Sequence, residues 1–212
     1  MESSMKHSLI QTVQIWCIRQ LSKIYWKETR LLSQEDNDTI KQMLTSDYFI
    51  IATRKSNYLT TFFIALGNFL LTGKWGFYSH VLMNLEDEVK DDNDFRFIEA
   101  TGAGVRYSTF EEVFGRVDAV ALIKPKNMTL KEWTKALDRA KTYLGRPYDN
   151  LFNLKSDLEI NCVELIRLAL QDTPNYAENF AEFEKLVAKT KKITPDMFAN
   201  CSDFTVVYII RS

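Results

Sequence analysis

Residues 162–170 hold seven apolar positions in nine: Cys162, Val163, Leu165, Ile166, Leu168, Ala169 and Leu170. Their spacing predicts a helix apolar around most of its circumference, and such a helix is stable only when surrounded. The fold must therefore supply packing partners on several sides of this one element. Four apolar runs upstream read as strands that could do so: 47–53, 77–83, 95–100 and 117–123.

The remaining segments fit around that arrangement. Helical spacing is read over Leu9–Arg30, in a second stretch ending near Leu44, and over Tyr58–Leu71. It recurs at Phe110–Phe114, at Leu130–Leu144 with Thr129 as N-cap and Gly145 just beyond, and at Ala177–Lys191. Lys124-Pro125 is expected to stop the fourth strand, and Phe204–Ile210 closes the chain as a last strand. Helices, strands, helices and a strand in that order read as an α+β fold with an antiparallel sheet. At 212 residues and 46% hydrophobic, the chain suits one domain with a well-filled core and an appended helical segment.

Composition excludes several function classes. A net charge of −1 argues against nucleic acid as a partner, and Lys189–Lys192 ends a helix, where cations favour the dipole anyway. Three cysteines at no metal-like or disulfide-like spacing, and only two histidines, point to no metal centre, no cofactor and a reducing compartment. The amino terminus lacks a secretory pattern, and the longest nearly apolar run, Tyr58–Leu71, has 14 residues, too few to span a bilayer. The expectation is a soluble cytoplasmic protein. Tyr58–Leu71 is read either as a core helix or as a greasy wall for an acyl chain.

Chemistry can be placed on three residues. Cys162 opens the apolar helix behind Asn161, a suitable N-cap, where free N–H groups and the helix dipole favour a thiolate. The Cys162 N–H would also face an oxyanion formed there. His80 is the histidine inside structured sequence, on a strand where alternation puts Tyr78, His80 and Leu82 on one face. Glu99, on the next strand with Phe95 and Phe97, could orient the imidazole. Residue type alone leaves bland readings open: a buried helix-start cysteine and a satisfied core histidine.

A wider set of segments resembles the YiiX/YebB-like group of circularly permuted papain-fold cysteine hydrolases, relatives of NlpC-type cell-wall peptidases and, more distantly, of lecithin:retinol acyltransferase. Ser46-Asp47 with the apolar strand after it is similar to the opening motif, with Ser46 where glycine is usual. Ser79-His80-Val81 resembles the histidine strand, and Glu99-Ala100 with Gly104-Val105 the segment that supplies the third polar residue. Gly145-Arg146-Pro147-Tyr148-Asp149 resembles the turn before the nucleophile. Asn161-Cys162-Val163-Glu164-Leu165 looks like the nucleophile motif, with Val163 in place of serine, and Thr194-Pro195-Asp196-Met197 resembles the C-terminal end.

The resemblance implies a permuted papain-like fold: an antiparallel half-barrel packed on the cysteine helix, with residues 46–212 as the catalytic domain and 1–45 as a helical extension. It further implies Cys162 as nucleophile, His80 as general base and Glu99 as the orienting third member. Tyr148 would contribute to the pocket or oxyanion site, or be a packed turn aromatic, and Ser79 and Asn161 would touch substrate. The expected activity is that of a cysteine hydrolase or acyltransferase on an amide, thioester or ester. Its substrate would be a peptide, a peptidoglycan fragment or an acylated small molecule. The rival reading is a non-catalytic binding or structural module on the same scaffold.

Overall fold

A computed structural model describes residues 30–55, 59–85, 95–150 and 158–211. The helix expected over Leu9–Arg30 lies outside them but for its last residue, as do Glu86–Asp94 between two of the strands and the rest of the first 29 residues.

Among the described residues, six antiparallel strands form one sheet. In chain order they are β1 (Ile50–Arg54), β2 (His80–Asn84), β3 (Arg96–Thr101), β4 (Gly104–Thr109), β5 (Ala119–Pro125) and β6 (Phe204–Arg211), arranged β4-β3-β2-β1-β5-β6. β1 is central, pairing Ala52 with Val81 on one side and with Ala121 on the other. All five of its residues are buried: apolar Ile50, Ile51 and Ala52 suit a strand covered on both faces, and the buried Arg54 is paired with Asp118 at 2.8 Å.

Helices cover both faces. Helix α1 (Gln34–Ser46) and the short α3 (Phe110–Phe114) lie on one side, where Ile40, Leu44, Phe110 and Phe114 pack with Ile51, Leu82, Phe97 and Leu122. Helix α2 (Leu59–Thr72) follows β1. On the other face sit α4 (Leu130–Lys141), α5 (Cys162–Gln171), α6 (Tyr176–Asn179), α7 (Ala181–Thr190) and α8 (Pro195–Asn200). α5 packs on β2, β3 and α4. Leu165, Ile166, Ala169 and Leu170 are fully buried there, and each large side chain contributes roughly 2 kcal/mol by leaving water.

Local chemistry sets the boundaries. Ser33, Thr109, Thr129 and Asn161 cap α1, α3, α4 and α5, each in a reciprocal bond with the acidic residue three positions on. Three expectations are corrected. The fourth strand runs through Pro125, because its pairing with β6 continues to Phe204. The helix expected over Ala177–Lys191 breaks at Phe180, whose φ of −125° turns its ring into the core against Tyr176 and Phe204. The histidine strand starts only at His80, so Tyr78 packs with Val81 and Met83 rather than with Leu82.

Candidate active site

The site lies where α5 begins beside β2 and β3. Asn161 Oδ1 accepts from the N–H groups of Val163 (3.2 Å) and Glu164 (3.1 Å), and Glu164 Oε2 accepts from Asn161 N–H at 3.0 Å. This box fixes Cys162 as the first helical residue, inside the turn whose N–H groups have no intrahelical acceptor. The Cys162 thiol lies beside the His80 ring and is one of the groups that raise its pKa. His80 Nε2 meets Glu99 Oε2 at 2.7 Å, which leaves Nδ1 for the thiol.

Glu99 is held in turn by β4. Continuing the β2–β3 register places it opposite Leu82, on the same face as His80. Its other oxygen accepts from Ser108 Oγ and from Arg106 at 3.2 Å. Burial alone would raise the Glu99 pKa, but the bonds and charges of His80, Ser108 and Arg106 bring it down to about 2. Burial alone would lower that of His80, but Cys162 and Glu99 beside it raise it to about 10. The arrangement thus favours a charged imidazolium beside the Glu99 carboxylate.

Tyr148 reaches the thiol from the other side. Its segment is docked on β4: Val105 N–H donates to Arg146 O, Gly145 N–H to Val105 O and Ile160 N–H to Pro147 O, each at 2.9 Å. Gly104 makes that approach possible. Its φ is +96°, and a Cβ there would lie 2.5 Å from Arg146 O. The Tyr148 hydroxyl is in hydrogen-bonding reach of Cys162, and burial, with Cys162 next, raises its pKa so that it stays a donor.

A cavity of about 550 Å³ opens over Cys162. Ser79, Tyr148, Cys162 and Val163 form its floor side, and α2 walls it with Phe63, Ile64, Gly67, Leu70 and Leu71. The fourteen-residue apolar run is therefore a wall of the cavity; Phe63 is about half exposed and Leu70 74% exposed, so it is not an interior core helix.

Of the residues expected at the site, Cys162, His80, Glu99, Tyr148 and Ser79 come together. Asn161 does not reach the cavity; it is 1% exposed and its side-chain oxygen is spent on capping α5. Arg106 and Ser108 were missed. The available signal was alternation, since both share the Glu99 face of the neighbouring strand.

Glu164 was also missed. It is 5% exposed, and burial, reinforced by Asp149, raises its pKa from 4.5 to about 7 despite the bond from Asn161 N–H. The folded carboxyl binds its proton more tightly than the unfolded one. Folding therefore takes up a proton between those two values, and stability from this group falls as pH rises through that window. Glu164→Gln keeps an acceptor for Asn161 N–H and removes the ionisation. In thermal melts at pH 8 it should be more stable than wild type by on the order of 1–3 kcal/mol, with no gain at pH 4.5. A variant weaker than wild type at both pH values would refute the assignment.

A cysteine at a helix start, an imidazole from an antiparallel sheet and a carboxylate behind it, with histidine preceding cysteine in the chain, form the arrangement expected of a permuted papain-like cysteine hydrolase. Sequence comparison agrees: residues 50–208 match Peptidase_C92, the "Permuted papain-like amidase enzyme, YaeF/YiiX, C92 family", and the chain belongs to that family. It is thus an enzyme of the amidase type. No curated protein matches the chain. Among solved structures it is similar to YiiX from Escherichia coli O157:H7, described as a metalloprotein, at 17% identity and a TM-score of 0.55. The match covers 78% of this chain and 98% of that one, a likeness of fold.

Among the described residues, no group of three or more His, Cys, Asp and Glu side chains could hold a metal ion. Glu99 already spends both oxygens on His80, Ser108 and Arg106, so these residues do not fit a metal centre. None of the described helices is long and apolar enough to cross a membrane.

Proposed function

We propose that this amidase cleaves an amide, or a related ester or thioester, whose acyl side is apolar. Cys162 attacks the carbonyl carbon as a thiolate while His80 holds the proton. The oxyanion is met by the Cys162 N–H and the Tyr148 hydroxyl. As the C–N bond breaks, His80 Nδ1 gives its proton to the leaving amine. Water, deprotonated by the same imidazole, then releases a carboxylic acid and regenerates the thiol. Glu99 keeps the ring oriented and favours its charged form, and Ser79 lies beside the bound acyl group.

The observation that carries this reading is the cavity itself, about 550 Å³ in volume, in which Cys162 faces the uncharged wall of α2. That size suits a small-molecule or acyl-chain site. A free catalytic thiol also fits a reducing, cytoplasmic setting. The family's amidase description suits a peptide-like leaving group.

Limited alkylation tests the reading. At pH 6, iodoacetamide should label Cys162 at least about tenfold faster than Cys17 or Cys201, as expected for an activated thiolate. Cys201 is a fair internal standard, being buried and pushed up in pKa by that burial. Equal, slow labelling of all three cysteines would sink the proposal.

A further inference from the structure

We propose that Asp196 is the positioning residue of His80, fixing where β2 begins and so where the imidazole meets Cys162; this rests on the Cys162–His80 reading above. The stretch Trp75–Ser79 leads into β2 without strand pairing of its own. Its N–H groups are instead taken by specific acceptors. Gly76 N–H donates to Ala65 O at 3.1 Å and Ser79 N–H to Thr53 O at 2.9 Å. Between them, Phe77 N–H donates to Asp196 Oδ1 at 2.8 Å and Tyr78 N–H to Asp196 Oδ2 at 3.2 Å.

Two consecutive donors on the two oxygens of one side chain select a carboxylate. An amide would set an NH2 group against one of them. Asp196 is 4% exposed, so leaving either N–H unmet would carry the full cost of a buried, unpaired donor. Burial raises its pKa to about 6 in spite of these bonds. A hydrophobic contact would hold the segment without such a cost, but it would not fix its register.

Register is what the site needs here. Slipping a strand by one residue turns every side chain to the opposite face. The sequence pattern alone places Tyr78 on the His80 face, yet Tyr78 packs with Val81 instead, because pleating starts only after the Asp196 bonds. Close packing tightens the arrangement from the other side. A Cβ on Gly76 would lie 2.9 Å from Ala65 Cα and from Asn68 Cβ, and 3.2 Å from Asp196 Oδ2. Thr194, just ahead of Asp196, donates to Asn68 Oδ1 at 2.6 Å, and Asn68 donates to Lys74 O at 2.8 Å. The loop before the base is thus tied to α8 and α2 together.

The test compares Asp196→Asn and Gly76→Ala with Phe114→Leu, a core lesion on the opposite sheet face, at matched loss of melting temperature. Both clamp variants should lower the rate of Cys162 alkylation at pH 6 at least about tenfold, the scale of a misplaced reacting group. Their His80 ring 15N resonances should move away from those of the Glu99-bonded imidazolium. Phe114→Leu should keep both signals. Wild-type alkylation and ring spectra in the clamp variants would overturn the proposal, and Gly76→Ala decides if Asp196→Asn does not fold. If Cys162 proves unreactive in the wild type, the functional reading falls, while the ring spectra still judge Asp196.

Discussion

Replacing His80 by alanine will slow alkylation of Cys162 at pH 6 by about 100-fold or more, and will lower amide hydrolysis further, by 10²–10⁴ or beyond. Burial disfavours a charged imidazole, and Cys162 and Glu99 at its sides reverse that, carrying its pKa to about 10. The pair should persist across the neutral range, so wild-type alkylation should vary little between pH 6 and 8. His80→Ala should instead show a rate that climbs steeply with pH, as a free thiol does. A variant with the flat wild-type profile would exclude His80 as the partner of the thiol.

Glu99→Gln is the graded form of the same experiment. It keeps the shape and loses the charge facing the ring, so hydrolysis should fall by at least tenfold. Its pH dependence of stability has a definite sign. Glu99, depressed to about 2, contributes stability above its unfolded value of 4.5 that is lost as pH falls through 2. His80, raised to about 10, contributes stability below 6.5 that is lost as pH rises through 10. The difference in melting temperature between wild type and Glu99→Gln should therefore be largest between about pH 4.5 and 6.5 and shrink on either side. A constant difference across the range would show that the charge pair is not its source.

How much of this was legible in the sequence follows from the range of each interaction. The cap at Asn161, the short α3 and the apolar α5 are written in contiguous residues and were readable. Glu99 was singled out because it lies on the strand expected to neighbour that of His80, and the two side chains meet at 2.7 Å. Asn161, expected at the substrate, is buried as the cap of α5; a capping side chain and a binding one look alike until burial is known. Asp196 was beyond reach for a different reason: its two bonds join positions 119 and 118 residues apart, and no periodicity encodes them. The start of β2 was misjudged for the same reason. Alternation continues through Phe77 and Tyr78, but a carboxylate from α8 takes the N–H groups that a strand would use.

Filling the cavity from its wall will separate chemistry from substrate choice. Gly67 lies on α2, lines the cavity, and has nothing within 4 Å of the position a Cβ would take. Gly67→Phe therefore adds a ring into open space, and replacing a mid-helix glycine favours the helix by about a few tenths of a kcal/mol. Iodoacetamide is small, so Cys162 alkylation should match wild type. Long acyl groups should be excluded. Each methylene buried in an apolar site contributes about 0.8 kcal/mol, so a decanoyl anilide should exceed an acetyl anilide in kcat/KM by about 100-fold or more in wild type. Gly67→Phe should erase most of that preference while leaving the acetyl rate within about threefold. The loss should appear in kcat/KM for the long chain alone, because Cys162, His80 and Tyr148 are untouched. Wild-type enzyme indifferent to chain length would remove the acyl chain from the proposed substrate while leaving the Cys162 chemistry standing. A Gly67→Phe enzyme that keeps the preference would move the chain's path away from α2.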